Sequence, residues 1–221
     1  VLGEYNRRNK GRLIIYVQNA IRDTTQFSGN RNLSLYYGFG HAELKLFAKM
    51  NVNIDDYRPV GSLLLGLFLS TRPRESETYD ICYISHYRPY IVGEGANSLF
   101  KKVNRAQQLL FSYLCRYGRE RNLSVCVISK TREDDILRME EKYYSDLAIP
   151  ESYEDLVFLK GQKDNLETYR AAFSGRVLVS LASTLLFEMY GIGKRGLFGV
   201  NVVDGLVSEW GIDDYYDSLP E

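Results

Sequence analysis

The chain has 221 residues, and its 28 lysines and arginines are balanced by 28 aspartates and glutamates. A balanced charge argues against a dedicated nucleic-acid binder, and no apolar run approaches the roughly 20 residues that cross a membrane. The three cysteines have no paired spacing, which disfavours a disulfide framework or structural zinc site and favours a reducing compartment, the cytoplasm. Because the chain begins with Val1 and no secretory segment opens it, we interpret it as a piece of a longer protein.

Apolar runs and turn residues in the first third of the chain predict alternating strands and helices. The predicted elements are a strand at 13–17, a loop at 21–33, a strand at 35–40, a helix at 41–50, a turn at 57–62 and an apolar strand at 63–69. Gln18 and Asn19 follow the first strand, at the end where α/β proteins collect ligand-binding groups. Alternatively, these two residues only begin the loop.

Residues 71–78 are charged and contain Pro73, so they predict a linker between two domains. Beyond it, strands and helices alternate, which implies right-handed crossovers and a Rossmann-like parallel sheet with helices on both faces. The predicted elements are strands at 81–85, 123–128, 156–160, 177–179 and 197–200, and helices at 97–117 (stopped by Gly118), 133–145 and 185–190.

The small hydroxyl residues Ser183 and Thr184 precede the helix at 185–190. A helix start carries free N–H groups and the positive end of the dipole, so it suits an anion such as phosphate. Glu188 shares a helix face with Thr184 and is a candidate for ribose hydroxyls. The alternative is an ordinary N-cap followed by a glutamate that faces water.

Other candidates follow the strands at 81–85 and 123–128. His86 is a candidate for contact with a phosphate or for a catalytic base, or else it is a surface histidine. Lys130 and Arg132 are candidates for neutralising a phosphate, with Ser129 beside them as a further candidate binding residue, or else they are solvated near a helix start. Gly191, Gly193 and Gly196 spell GxGxxG, but they follow a helix, so we interpret them as a helix stop.

Residues 156–199 resemble the C-terminal, nucleotide-sugar-binding half of GT-B glycosyltransferases. The resemblance rests on a strand ending at Gly161, a helix of the form xLxxYxxA at 166–172, the strand at 177–179, the Ser183-Thr184 turn and Glu188 in the next helix. Residues 38–62 are similar to the end of the N-terminal domain of the same superfamily, in the order that the superfamily requires.

This resemblance implies a GT-B-like architecture, with the end of an acceptor-side domain at 1–70, the linker at 71–78 and a donor-binding domain at 79–221. It implies a metal-independent glycosyltransferase of surface polysaccharide synthesis that uses no cofactor. The partners would be a nucleotide-sugar donor and a carbohydrate or lipid-linked acceptor, with Gln18 and Asn19 on the acceptor side. It also implies action in the cytoplasm and allows peripheral association with the inner membrane face. The alternatives are a nucleotide-sugar epimerase of similar fold and a non-catalytic nucleotide-binding module.

Overall fold

The computed structural model describes residues 15–18, 20, 31–71, 77–93, 97–129, 131, 133–151, 153–160, 166–199, 202–206 and 208. The chain divides into two compact units, Val1–Gly66 with Val207–Glu221, and Leu67–Leu206. The predicted linker at 71–78 includes residues 72–76, which lie outside the described residues. The predicted domain boundaries therefore stay a prediction.

The first unit contains a parallel sheet in the order β1-β2-β3. Its elements are β1 (Ile15–Val17), β2 (Arg31–Gly38), α1 (Ala42–Lys49), β3 (Val52–Pro59) and the first half of α2 (Leu63–Ser70). Tyr16, Tyr36 and Tyr57 are in register across the three strands and stack with ring centroids 6.4 and 6.0 Å apart. Phe47 of α1 packs edge-on against Tyr36 at 5.0 Å, so an aromatic ladder forms the core on this face.

The second unit contains a parallel five-stranded sheet in the order β6-β5-β4-β7-β8. Its elements are β4 (Tyr79–Ile84), α3 (Pro89–Val92), α4 (Ser98–Arg121), β5 (Val125–Ile128), α5 (Asp134–Ala148), a 3-10 turn (Ile149–Glu151), β6 (Val157–Leu159), α6 (Glu167–Phe173), β7 (Gly175–Ser180), α7 (Thr184–Gly191) and β8 (Arg195–Phe198). Both sheets are parallel and strands alternate with helices. The predicted Rossmann-like α/β fold is confirmed.

The central strands of the second unit are buried because helices cover them. All four residues of β5 are buried, as are the last four of β4. The Tyr83 ring lies 5.2 Å from Phe111 of α4 and 5.5 Å from Tyr144 of α5, measured between ring centroids. These two helices therefore pack on the same face of the sheet.

Two sequence predictions near residue 60 are wrong. The turn predicted at 57–62 begins inside β3, which continues to Pro59, and the strand predicted at 63–69 is helix α2. The Ser62 hydroxyl accepts the Leu65 N–H at 3.2 Å, which satisfies one free donor at the helix start. Leu65 and Phe68, which are three residues apart, are buried, whereas Leu63, Leu64 and Leu67 are exposed. The pattern of burial therefore follows the period of a helix.

Two predicted element ends are also wrong. Residues 31–33, predicted as loop, belong to β2. The prediction that Gly118 stops α4 fails because the helix continues to Arg121 and ends at Asn122, which has a positive φ of 53°. Gly118 instead allows close packing, since a Cβ there would lie 2.8 Å from Val125 Cγ2. In the described part of the chain, every helix is too short or too polar to cross a membrane.

Candidate functional site

The order of the strands places a topological switch point, the usual position of a binding crevice, at the carboxyl ends of β4 and β7. The chain passes from β4 outward through β5 to β6, and then from β7 outward in the opposite direction to β8. Ligands of open parallel sheets bind where the strand order reverses in this way, because the adjoining connections leave on opposite faces. We call this place the β4–β7 crevice, and residues 85–88, which follow β4, the post-β4 segment.

His86 bridges the two sides of the β4–β7 crevice. Its Nε2 atom lies 3.1 Å from Ser180 Oγ and 3.3 Å from the backbone N of Ala182. Ser180 Oγ in turn lies 3.0 Å from the Ile84 carbonyl oxygen, to which it donates. A ring nitrogen carries either a hydrogen or a lone pair, so His86 Nε2 either accepts from Ala182 or donates to Ser180. A half-buried imidazole with these two alternatives can take up or release a proton at the crevice.

Helix α7 begins beside the same crevice. Ser183 is its N-cap, has extended backbone angles (φ −95°, ψ 129°) and makes no capping hydrogen bond with its side chain. Thr184 is the first residue of the helix. The first N–H groups of a helix lack intrahelical acceptors and favour an anion. The strand, turn and helix predicted here are confirmed, whereas phosphate binding by Ser183 and Thr184 stays a prediction.

Glu188 has a hydrogen-bond partner that is not predictable from the sequence. The Tyr169 hydroxyl of α6 donates to Glu188 Oε2 at 2.9 Å. This bond supplies the donor that a half-buried carboxylate requires. Ribose binding by Glu188 stays a prediction.

The candidates after β5 are only partly described. Ser129 lies at the carboxyl end of β5, directly beside the post-β4 segment, and its backbone N–H donates to the Leu159 carbonyl oxygen at 3.0 Å. Its side chain is completely buried. Lys130 and Arg132 lie outside the described residues, so their predicted contact with phosphate stays a prediction.

Gln18 lies in the first unit, at the carboxyl end of β1, and Asn19 lies outside the described residues. The Gln18 amide is 4% exposed and donates to Glu43 Oε1 and, at 3.0 Å, to the Ala20 carbonyl oxygen. Glu43 also accepts from the Phe39 N–H at 2.8 Å and lies 2.9 Å from the Tyr57 hydroxyl. Burial, followed by the charge of Glu43, raises the pKa of Tyr57. This network holds the ends of all three strands together, and acceptor binding by Gln18 and Asn19 stays a prediction.

A family described as "putative O-antigen biosynthesis protein" matches residues 42–202, more than half of the chain. The chain belongs to this family. No curated protein and no solved structure matches it.

The match to the O-antigen family covers the whole β4–β7 crevice, with His86, Ser129, Ser183, Thr184 and Glu188. It begins after Gln18. The description ties the family to O-antigen, a surface polysaccharide, and names no reaction.

One buried carboxyl group near the crevice, that of Glu140, was not among the predicted site residues. Glu140 of α5 is 1% exposed and shares the covered face of its helix with Leu137 and Tyr144. The sequence did contain a signal for this burial. Glu140 lies three residues after Leu137 and four before Tyr144, so the helical period places it on the apolar face of α5. Desolvation raises the pKa of Glu140, against the opposing effect of the Ser85 and Ser129 hydroxyls.

Among the residues that the structure describes, no three histidine, cysteine, aspartate or glutamate side chains form a group able to hold a metal ion. The metal independence implied by the resemblance to GT-B enzymes stays a prediction.

Proposed function

We propose that this protein is a glycosyltransferase of O-antigen synthesis, which moves a sugar from a nucleotide-activated donor to a carbohydrate or lipid-linked acceptor. The observation that carries the proposal is the β4–β7 crevice, where His86 meets the start of α7 in a Rossmann-like sheet. Membership in the O-antigen family supports it. Two units with parallel sheets also agree with the GT-B architecture.

In this proposal the donor phosphate lies at the start of α7, against Ser183 and Thr184, and Lys130 or Arg132 adds positive charge. Glu188 accepts from the ribose hydroxyls. The bond between the sugar carbon and the phosphate oxygen breaks as an acceptor oxygen bonds to that carbon, and His86 takes the proton of the acceptor hydroxyl. The helix dipole stabilises the charge on the departing phosphate. The protein would act in the cytoplasm or at the inner membrane face.

The first test is isothermal titration of the whole chain with UDP-, GDP-, CMP- and dTDP-linked sugars. We expect one nucleotide class to bind. Product analysis with that donor then distinguishes transfer from epimerisation. Absence of binding across the panel would overturn the proposal and leave a non-catalytic α/β binding module.

The second test uses Thr184→Val and Glu188→Gln, which keep side-chain volume. Each variant should lose about 1–2 kcal/mol of nucleotide affinity, the usual effect of one lost hydrogen bond to a polar or charged group. Thr71→Val and Glu120→Gln, which change exposed residues at helix ends, are matched controls. A merely structural role predicts unchanged nucleotide affinity in both variants and, since Ser183 rather than Thr184 is the N-cap of α7, no loss of a helix cap in Thr184→Val.

A further inference from the structure

Helix α4 carries a net positive charge, although the chain as a whole is neutral. Its one acidic residue is Glu120, and its six basic residues are Lys101, Lys102, Arg105, Arg116, Arg119 and Arg121. Lys102 is half-buried, and the other five basic residues are exposed. Because successive helical residues are about 100° apart, positions 101, 105, 116 and 119 fall within about 60° of one another around the axis. The exposed face of α4 is therefore a row of positive charges, which we call the α4 basic face.

The positive charges at the start of this helix do not stabilise it. Lys101 lies in the first turn, which has no acidic residue, and the helix dipole disfavours a cation there. Arg105 is four residues further on, on the same side of the helix, so the two like charges repel each other. Among the residues that the structure describes, neither side chain forms an ion pair. Helix stability therefore does not explain these two residues.

The neighbouring helix α5 shows the arrangement that stability favours. Its first turn contains Asp134 and Asp135, which suit the positive end of the helix dipole. Its exposed cations are paired, Arg138 with Asp135 at 3.7 Å and Lys142 with Asp146 at 2.9 Å. Helix α4 breaks on its exposed face the rules that α5 follows, and such a break is typical of a functional surface.

Aromatic side chains accompany the charges of α4. Tyr90 of α3 is 60% exposed, and its ring centroid lies 5.4 Å from that of Phe100. Tyr113 of α4 is 52% exposed, and the guanidinium carbon of Arg116 lies 4.9 Å from the centre of its ring. Tyrosines and long cationic side chains suit a membrane surface, because each has an apolar part for the interface and a polar end for the headgroups.

An anionic bilayer matches the α4 basic face in charge and in extent. Lys101 and Arg119 are 18 residues apart, which is about 27 Å along a helix axis. The row of charges is thus long enough to face several lipid headgroups, and anionic lipids attract basic residues near the bilayer surface. A dedicated nucleic-acid binder instead has an excess of basic residues overall, which this neutral chain lacks.

We propose that the α4 basic face, with Tyr90 beside its start, docks on a bilayer that contains anionic phospholipids. Helix α3, which carries Tyr90, directly follows the post-β4 segment, so this surface begins next to the β4–β7 crevice along the chain. The proposal names the surface that brings the crevice to a membrane. Its placement at the inner membrane face rests on the proposed function, whereas lipid binding itself needs no nucleotide sugar.

The test is sedimentation of the whole chain with two kinds of vesicle, one of phosphatidylcholine alone and one of equal parts phosphatidylcholine and phosphatidylglycerol. The α4 double variant combines Lys101→Gln with Arg105→Gln. The control double variant combines Arg138→Gln with Lys142→Gln, which removes the same number of positive charges from exposed, ion-paired positions on α5. Melting temperature is measured on the same samples.

We expect the parent to bind the anionic vesicles, to lose binding as the salt concentration rises and to leave phosphatidylcholine vesicles unbound. Each basic residue at an anionic bilayer contributes about fivefold to binding, so the α4 double variant should bind about 25-fold more weakly. The control double variant should bind like the parent. The α4 double variant should melt at or above the temperature of the parent, because it removes a like-charge pair near the start of a helix.

A parent that does not sediment with the anionic vesicles would overturn the proposal. An equal loss in the two double variants would overturn it as well, because net charge rather than this face would then decide binding. If the parent binds a DNA duplex and no vesicles, and the α4 double variant loses that binding, the face belongs to a nucleic-acid partner and the lipid proposal is wrong. Should the α4 double variant not fold, Arg105→Gln alone replaces it, with an expected loss of about fivefold.

The vesicle experiment and the titration with nucleotide sugars fail separately. A parent that binds anionic vesicles and no nucleotide sugar supports docking by the α4 basic face and overturns the proposed function. A parent that binds a nucleotide sugar and no vesicles overturns the docking and leaves the proposed function standing.

Discussion

Asp80 and Ser124 bind each other at the amino ends of β4 and β5. Asp80 Oδ2 accepts from the Ser124 N–H at 3.0 Å and from its hydroxyl at 2.9 Å, while the Asp80 N–H donates to Ser124 Oγ at 2.9 Å. The Ser124 N–H, followed by its hydroxyl, lowers the pKa of Asp80. A carboxyl whose pKa falls on folding stabilises the folded state above its unfolded pKa of about 3.9.

We therefore expect Asp80→Asn to lower the free energy of unfolding at pH 7 by about 1 kcal/mol, because charge-assisted hydrogen bonds are lost at a partly exposed site. The difference from the parent should shrink as the pH falls from about 4 through the lowered pKa, where the parent also loses the charge. Urea unfolding between pH 3 and 7 measures this. Asp146→Asn, at an exposed ion pair with Lys142, is the control. A difference that stays constant with pH would contradict the assignment.

Residues of the candidate site could be predicted from the sequence where a polar side chain lies at the end of a strand or the start of a helix. His86 lies two residues after β4, and Ser183 and Thr184 lie at the start of α7, and such element ends are visible in apolar runs. Tyr169 was not found as the partner of Glu188, because a contact between two helices depends on tertiary packing. Glu140 was missed for a similar reason, since a glutamate in a charged helix normally faces water.

At the scale of elements, two helical glycines offer a matched pair. At Gly66 of α2, no atom of the described residues lies within 4 Å of the place of a Cβ. At Gly118 of α4, a Cβ would lie 2.8 Å from Val125 Cγ2 and 3.1 Å from Tyr153 Cε2. The same substitution should therefore have opposite effects at the two sites.

We expect Gly66→Ala to raise the free energy of unfolding by about 0.5–1 kcal/mol, because alanine restricts the unfolded chain and favours the helix. Gly118→Ala should lower it by about 1–3 kcal/mol through overpacking. Urea denaturation followed by circular dichroism measures both. Changes of the same sign would contradict the packing described around these glycines.

The composition of individual elements explains which of their boundaries could not be predicted from the sequence. A continuous apolar run such as residues 63–69 has no period that distinguishes a strand from a helix, and Gly66 inside it weakens the helix signal. Residues 55–58 of β3 read Asp-Asp-Tyr-Arg, and this polar edge strand resembles a loop in sequence. Interior strands β4, β5 and β7 were predicted within two residues, because burial on both faces makes their central residues apolar.

At the scale of the whole molecule, the proposed function predicts where a bound donor protects the backbone. Hydrogen exchange of the full chain with the best-binding nucleotide sugar should slow at residues 85–88 and 181–185, because these line the β4–β7 crevice. Residues 123–124, which lie at the amino ends of the strands, away from the crevice, are the internal control. Protection confined to residues 123–124 would contradict the proposed site.

The reversal of strand order also has a kinetic meaning. Tyr79 at the start of β4 pairs with Gly175 of β7, so one edge of the central strand is completed only by a segment far along the chain. Closing the long loop between these two strands costs chain entropy before the pairing contributes any contacts. Folding is slower when many contacts join segments that are distant in sequence. During synthesis, β5 and β6 are available to β4 before β7 leaves the ribosome. The chain must therefore keep one side of its central strand unpaired, and open to mispairing, until most of the second unit has been made.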